Sequence, residues 1–260
     1  MKLKHRTDLG PKSRKIVVPN DDYMPKRIRF FGHWSRDVSR FLVSGVTDES
    51  VLLDLGAHCG LVALQTYNLS KVSKIYAVEP MKVNFLSLSK NLELVSCDSD
   101  IRLLNCAVTN APSGIGYLFS EPGATMNSSI NPELPGLGSD QSPNLTNEKI
   151  RVINSVEMCE DFLKWAEGSK IILKSDLQGM DVIILSEFKD LFWQNVVLGT
   201  IEICALDYGK VDEIELLIHQ LERFPAVYLD PDCIESISLP RLKDFYLSKS
   251  KKTINIFFRK

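Results

Sequence analysis

The feature that most limits the fold is a pair of continuously apolar runs that each carry an acid at their end. The first is "SVLLDL" (Ser50–Leu55), with Asp54 near its close; the second is "KIYAVE" (Lys74–Glu79). A strand that is apolar at every position has both faces covered, which is the mark of a buried, mostly parallel sheet rather than a half-solvated antiparallel one. Between the two runs lie the glycine turn "GAHCG" and the segment "LVALQTYNL", which reads as a helix. Such a strand–turn–helix–strand unit joins parallel neighbours.

The alternation continues along the chain. The helical segment "KVNFLSLSKNLELV" precedes the strand "IRLLNCAV", and the strands "IILKSD" (Ile171–Asp176) and "VVLGTIEI" (Val196–Ile203) follow. The amphipathic helix "VDEIELLIHQLERF" then leads to "AVYLD" and "TINIFF", the last expected at or near a sheet edge. Before the first strand, "RDVSRFLVSGV" sets Val38, Phe41 and Leu42 at helical spacing. The expected fold is α/β, a mostly parallel sheet with helices on both faces. Residues 31–260 form one domain and residues 1–30 a basic arm. An irregular Gly/Pro/Ser/Asn-rich insertion near residues 120–148 is too long for a silent connector and reads as a lid.

Residues 1–45 carry eleven Lys or Arg against four acids, so this segment is about +7 while the remainder is about -9. A basic arm suits a polyanion or an anionic membrane surface. Residues 1–20 offer little to pack and read as a solvated, partly disordered tail. No apolar run reaches the roughly 18 residues of a membrane span, and "MKLKHRTDLGPKSRK" lacks the apolar centre of a signal peptide. The six cysteines are scattered with no CxxC pair. They read as reduced thiols of a cytoplasmic protein rather than a disulfide frame or zinc site.

In an open parallel sheet, ligands bind at the carboxyl ends of strands. There the chain places Asp54, Gly56 and Gly60 as D-x-G-x-x-x-G, with His58 and Cys59 inside the turn. The pyrophosphate-cradling G-x-G-x-x-G lacks its middle glycine here, and no GK[ST] of a P-loop is present. Glu79 ends the next strand, where a carboxylate can accept both hydroxyls of a ribose. An acid-bearing turn favours a nucleoside with a cationic tail, and S-adenosylmethionine is one.

Taken in order, these segments resemble the FkbM-type family of S-adenosylmethionine-dependent methyltransferases, of the Rossmann-like class I fold. The likeness runs from "GHWSRDVSRFL" through "VLLDLGAHCGLVAL", "IYAVEPMKVNFLSLSKNLEL", "IRLLNCAV", "MNSSI" and "VINSVEMCEDFL" to "ILKSDLQGMDVIIL" and "TIEI". The resemblance implies that Asp54, Gly56 and Gly60 contact the methionine end of the cofactor, with His58 beside them, and that Glu79 holds the ribose. It places the turn from Asn105 to Ala107 near the adenine, and Ser128 and Ser129 as closing groups. It implies a hydroxyl acceptor on a sugar, glycan or related metabolite, anionic or lipid-linked if the basic arm takes part.

The same resemblance sets "LKSDLQGMD" at the catalytic edge, with Asp176 as base or acceptor-orienting group and Lys174 orienting an acceptor or pairing with Asp176. The family's Glu-Gly-x-Glu is Gln178, Gly179, Met180, Asp181 here, so one carboxylate is lost. His33 is a further candidate base or orienting group, and His219 reads as structural. Metal-dependent methylation would need clustered acids and amides, for which Asp176 and Asp207 are the only plausible start, and no metal is assigned. The alternatives are a non-catalytic cofactor-binding partner in a biosynthetic complex and an RNA or protein methyltransferase. A nicotinamide-dependent dehydrogenase is disfavoured by the missing glycine, and nucleic acid by the lack of an aromatic–basic surface motif.

Overall fold

The computed structural model describes residues 2–4, 15–19, 25, 26, 28, 34–70, 72–93, 100–120, 128–130, 145–205, 210–248, 250 and 252–260. The main sheet is built from β3 (Ser50–Leu55), β4 (Lys74–Val78), β5 (Asp100–Leu104), β9 (Lys170–Ser175), β10 (Val196–Cys204), β11 (Val227–Tyr228), β12 (Ser236–Ile237) and β13 (Thr253–Arg259). Their order is β12-β11-β13-β10-β9-β3-β4-β5. From β10 to β5 every neighbour is parallel. The expected mostly parallel α/β sheet is therefore present, in a Rossmann-like doubly wound arrangement. Strand order reverses between β3 and β9, which makes the gap beyond their carboxyl ends the natural ligand crevice.

Alternation along the strands divides the core. Leu52, Ile75, Ile172, Leu198 and Phe257 face one side, packed with Phe41 and Leu42 of α1 (Arg36–Val43), Ala63 and Leu64 of α2 (Leu61–Ser70) and Leu88 of α3 (Lys82–Leu92). Val51, Leu53, Tyr76, Ile171, Leu173, Ile201 and Phe258 face the other side. There they meet α4 (Ser155–Ala166), α5 (Asp181–Ser186), α6 (Asp190–Asn195), α7 (Val211–Leu221) and α8 (Leu239–Tyr246) through Phe162, Ile184, Trp193, Leu217 and Tyr246.

Three expectations are corrected. "TINIFF" is no edge strand: β13 lies inside the sheet, antiparallel to both β10 and β11. "IRLLNCAV" is two strands, because the chain leaves the main sheet after β5 and enters a second sheet as β6 (Ala107–Thr109). That sheet, of order β6-β8-β7, adds β7 (Gly114–Ser120) and β8 (Thr146–Asn154). Asn105 sits at the break, its amide donating to the carbonyls of Glu79 and Pro80 at 2.9 and 3.0 Å.

Within the arm, Ile16, Val18 and Ile28 are buried, not solvated. Strand β1 (Lys2–Lys4) pairs antiparallel with β2 (Lys15–Val17), and Ile16 and Val18 are buried in the α1–α3 face. Asn91 of α3 accepts from the Val17 N–H and donates to the Val17 carbonyl, both at 2.7 Å. Of the lid-like insertion, the residues described between Ser120 and Leu145 are 128–130, where Ser129 and Phe119 exchange backbone hydrogen bonds. No described helix is long and apolar enough to cross a membrane.

Candidate active site

The turn after β3 is held from two sides. The N–H groups of Gly56 and Ala57 donate to the Val78 carbonyl at 3.0 and 2.9 Å, and the Asp176 N–H donates to the Leu55 carbonyl at 3.0 Å. Gly56, His58 and Gly60 all have positive φ, at 74°, 51° and 75°. A Cβ at Gly56 would lie 1.9 Å from the Asp176 carbonyl oxygen, so this glycine is what lets the turns after β3 and β9 touch.

Glu79 is buried at the end of β4 and its carboxylate already accepts three N–H bonds. They come from His58 N (2.9 Å), Met81 N (2.9 Å) and the Asn84 amide (3.2 Å). Burial nevertheless raises its pKa to about 7, with these bonds opposing. A carboxylate offers about four acceptor positions, so capacity remains for a ligand hydroxyl. Glu79 lines a cavity of about 270 Å³ together with Gly56, His58, Asn84, Ala107 and Ser128. Val78, Cys106, Val108, Leu118 and Ile130 supply its apolar wall.

Asp54 and Lys174 act beneath this surface. Asp54 is fully buried and lines neither this cavity nor the smaller one described below. Its Oδ1 is 3.0 Å from the Lys174 ammonium, which also donates to the Gly56 carbonyl at 2.6 Å. Burial works against that ammonium, but the carboxylates of Asp54 and Asp176 more than offset it, and its pKa lies above the ordinary lysine value. Asp54, expected at the methionine end of the cofactor, is placed behind the turn, against the lysine that holds the Gly56 carbonyl. Lys174 is 4.0 Å from Asp176, a longer contact than the one it makes with Asp54.

A second cavity of about 130 Å³ opens on the α1 side, lined by Ser35, Val38, Lys174, Ser175, Thr200 and Asn255, among others. Its floor is the continuation of the sheet face that is apolar lower down. Leu52 gives way to Asp54, Ile172 to Lys174, and Leu198 to Thr200 and Glu202. Register sets Asp54 beside Lys174, Lys174 beside Thr200 and Glu202 beside Asn255. Trp34, Gly56, His58, Asp176 and Glu202 line both cavities.

Gln178 donates its side-chain amide to Asp176 Oδ1 at 2.7 Å, and its backbone carbonyl accepts from Ser129 Oγ at 3.2 Å. Asp181 lines neither cavity. It accepts from Ser175 Oγ and the Leu177 N–H, and burial pushes its pKa up to about 7. Glu202 is raised to about 9, first by burial and then by the charges of Asp176 and Asp181.

The structure thus brings Gly56, His58, Glu79, Ala107, Ser128 and Asp176 to one cavity, with Lys174 in the wall of the next. Gly60 lies below the turn, against Leu88. Asn105 sits behind Glu79, and His219 is on the outer face of α7, 3.4 Å from Glu222. His33 and Asp207 lie outside the described residues. Sequence reasoning missed Glu202 and Thr200. Their signal was the change from apolar to polar at every second residue of "LGTIEI", on the strand end already suspected.

No protein-family model matches the chain, and no curated protein matches it. Among solved structures it is similar to the precorrin-6Y C5,15-methyltransferase of Geobacter metallireducens, at 14% identity and TM-score 0.37, over 86% of this chain and 87% of that one. A TehB-like SAM-dependent methyltransferase of Corynebacterium glutamicum aligns at 8% identity and TM-score 0.39, over 90% and 93%. The N-terminal domain of human METTL16 aligns at 12% identity and TM-score 0.39, over 94% and 74%. Likeness this slight carries no residue role across.

Proposed function

We propose that this chain is an S-adenosylmethionine-dependent O-methyltransferase acting on a hydroxyl of a sugar, glycan or related metabolite. The observation that carries the reading is Glu79. Its buried carboxylate lines a nucleoside-sized cavity and is anchored by the N–H of His58, from the turn after β3. The donor set fits the cofactor. Glu79 suits the ribose hydroxyls, Cys106 to Val108 with Leu118 and Ile130 suit an adenine, and the Gly56–His58 turn lets the backbone come close to the remaining tail.

When bound, S-adenosylmethionine supplies a methyl group on a sulfonium, and the protein supplies position and proton management. Holding acceptor and methyl in line is worth up to roughly 7–11 kcal/mol in favourable systems. The smaller cavity suits the acceptor because it shares a wall with the larger one. It also carries Thr200, whose buried Oγ1 has no hydrogen-bond partner among the described residues and would pair with an acceptor hydroxyl. Acids on the shared wall favour an acceptor that is neutral at its reacting end, so the basic arm would serve a distant anionic or lipid-linked part. This reading goes with a cytoplasmic enzyme. The non-catalytic alternative draws on Gln178, whose amide occupies one oxygen of Asp176.

Calorimetric titration with S-adenosylmethionine, S-adenosylhomocysteine and NAD tests the reading. Both sulfur ligands are expected to bind, Glu79→Ala to lose at least tenfold in affinity for each, and NAD not to bind. NAD binding, or equal affinity in the variant, overturns it. Labelled methyl transfer to a panel of glycosides then separates the enzyme from the non-catalytic partner.

A further inference from the structure

We propose that Glu202 and Asp176 act as one proton-sharing carboxyl pair that gives up its proton when a sulfonium cofactor enters and then takes the proton of the acceptor hydroxyl. The inference rests on the cofactor reading above and adds a residue, Glu202, that the motifs did not mark.

Three observations carry it. Both carboxyl groups line both cavities, so the pair stands where donor and acceptor must meet. The parallel register pairs Thr200 with Lys174 and Ile201 with Ser175, so the next residues, Glu202 and Asp176, stand side by side, where like charges disfavour ionisation of both carboxyls. The surroundings fix where the extra proton resides. Asp181, on α5, adds negative charge, and the Lys174 ammonium is committed to Asp54 at 3.0 Å and Gly56 at 2.6 Å. Cys204, on the same strand, meets Glu202 Oε2 through its thiol at 3.8 Å. From the other elements come neutral Asn255 of β13, His58 of the turn, and Trp34, Ser35 and Val38 around the start of α1. Burial and this negative surround raise Glu202 to about 9, so it keeps a proton at neutral pH in the empty site.

A cation in the larger cavity reverses that balance, because an opposite charge nearby favours the ionised form. Glu202 then loses its proton to solvent and the pair becomes the base. In the transfer, the acceptor oxygen bonds to the methyl carbon as the carbon–sulfur bond breaks with its electron pair left on sulfur. The hydroxyl proton passes to Asp176, and the pair returns to its protonated form as the sulfonium charge disappears.

The test needs no acceptor. Calorimetric titrations at pH 8, in buffers of different ionisation enthalpy, count the protons released on binding. Glu79 and Asp181, both raised to about 7, are mostly ionised at that pH and have little proton left to release. S-adenosylmethionine is expected to release about half to one proton more than S-adenosylhomocysteine, which has a neutral sulfur. Glu202→Gln is expected to abolish the excess while both ligands still bind measurably. Asp176→Asn, which breaks the pair from its other side, should abolish it too. Equal release by the two ligands in the parent protein, or an excess that survives in both variants, overturns the proposal with the cofactor reading intact. Failure of the parent to bind either ligand overturns both.

Discussion

At the scale of single residues, the site is built from acids whose burial sets their state of charge. Asp181 is the simplest case. Its folded pKa of about 7 stands above the ordinary 3.8, so its protonated form stabilises the fold at low pH. That contribution is complete below about pH 4 and is lost as pH rises through 7. Asp181→Asn keeps an oxygen to accept from Ser175 and Leu177 and removes the charge. The variant is expected to be more stable than the parent by about 2–4 kcal/mol at pH 8 and equal to it below pH 4. Urea unfolding at pH 4, 6 and 8 reads this directly, and a loss independent of pH would contradict it. Asp54, Glu79 and Asp176 were legible in the sequence because each stands where an apolar run stops. Glu202 and Thr200 were not, because an acid within "TIEI" gains meaning only once β9 and β13 fix its register and face.

Among the elements, α3 and the turn after β3 are tied by one side chain. Besides its two bonds to Val17, Asn91 donates to the Cys59 carbonyl at 2.7 Å. It therefore joins the arm, the helix and the glycine turn through one buried side chain. Asn91→Ala strips partners from three backbone groups and is expected to cost about 2–4 kcal/mol in denaturant unfolding, with cofactor affinity falling as the turn loosens. Unchanged affinity would show that the turn is held by β4 and Asp176 alone. The parallel strands and the longer helices could be read from periodicity. The small sheet could not, since a break at Asn105 depends on two carbonyls 25 residues or so earlier in the chain. The docking of residues 15–18 was hidden likewise, because a short basic stretch shows no core until the surface it meets exists.

For the whole molecule, the decisive feature is β13 lying between β10 and β11. Ile256 and Phe258 are wholly buried there, and Phe257 nearly so. Removing residues 253–260 would leave β10 with an unpaired edge flanked by exposed core, an arrangement prone to edge-to-edge association. The shortened chain is expected to move from the soluble to the pelleted fraction on expression. Recovery of a soluble monomer with an undiminished melting temperature would count against the pairing. The same placement orders events during synthesis. Strand β10 is complete at Cys204, yet its partner begins at Thr253, and at about 5–20 residues per second the ribosome needs several seconds to make what lies between. For that interval the nascent chain holds β3, β9 and the glycine turn while one flank of the sheet stands open. Glu202 then lacks the strand that carries Asn255, so the smaller cavity gains that part of its lining only after β13 has been made.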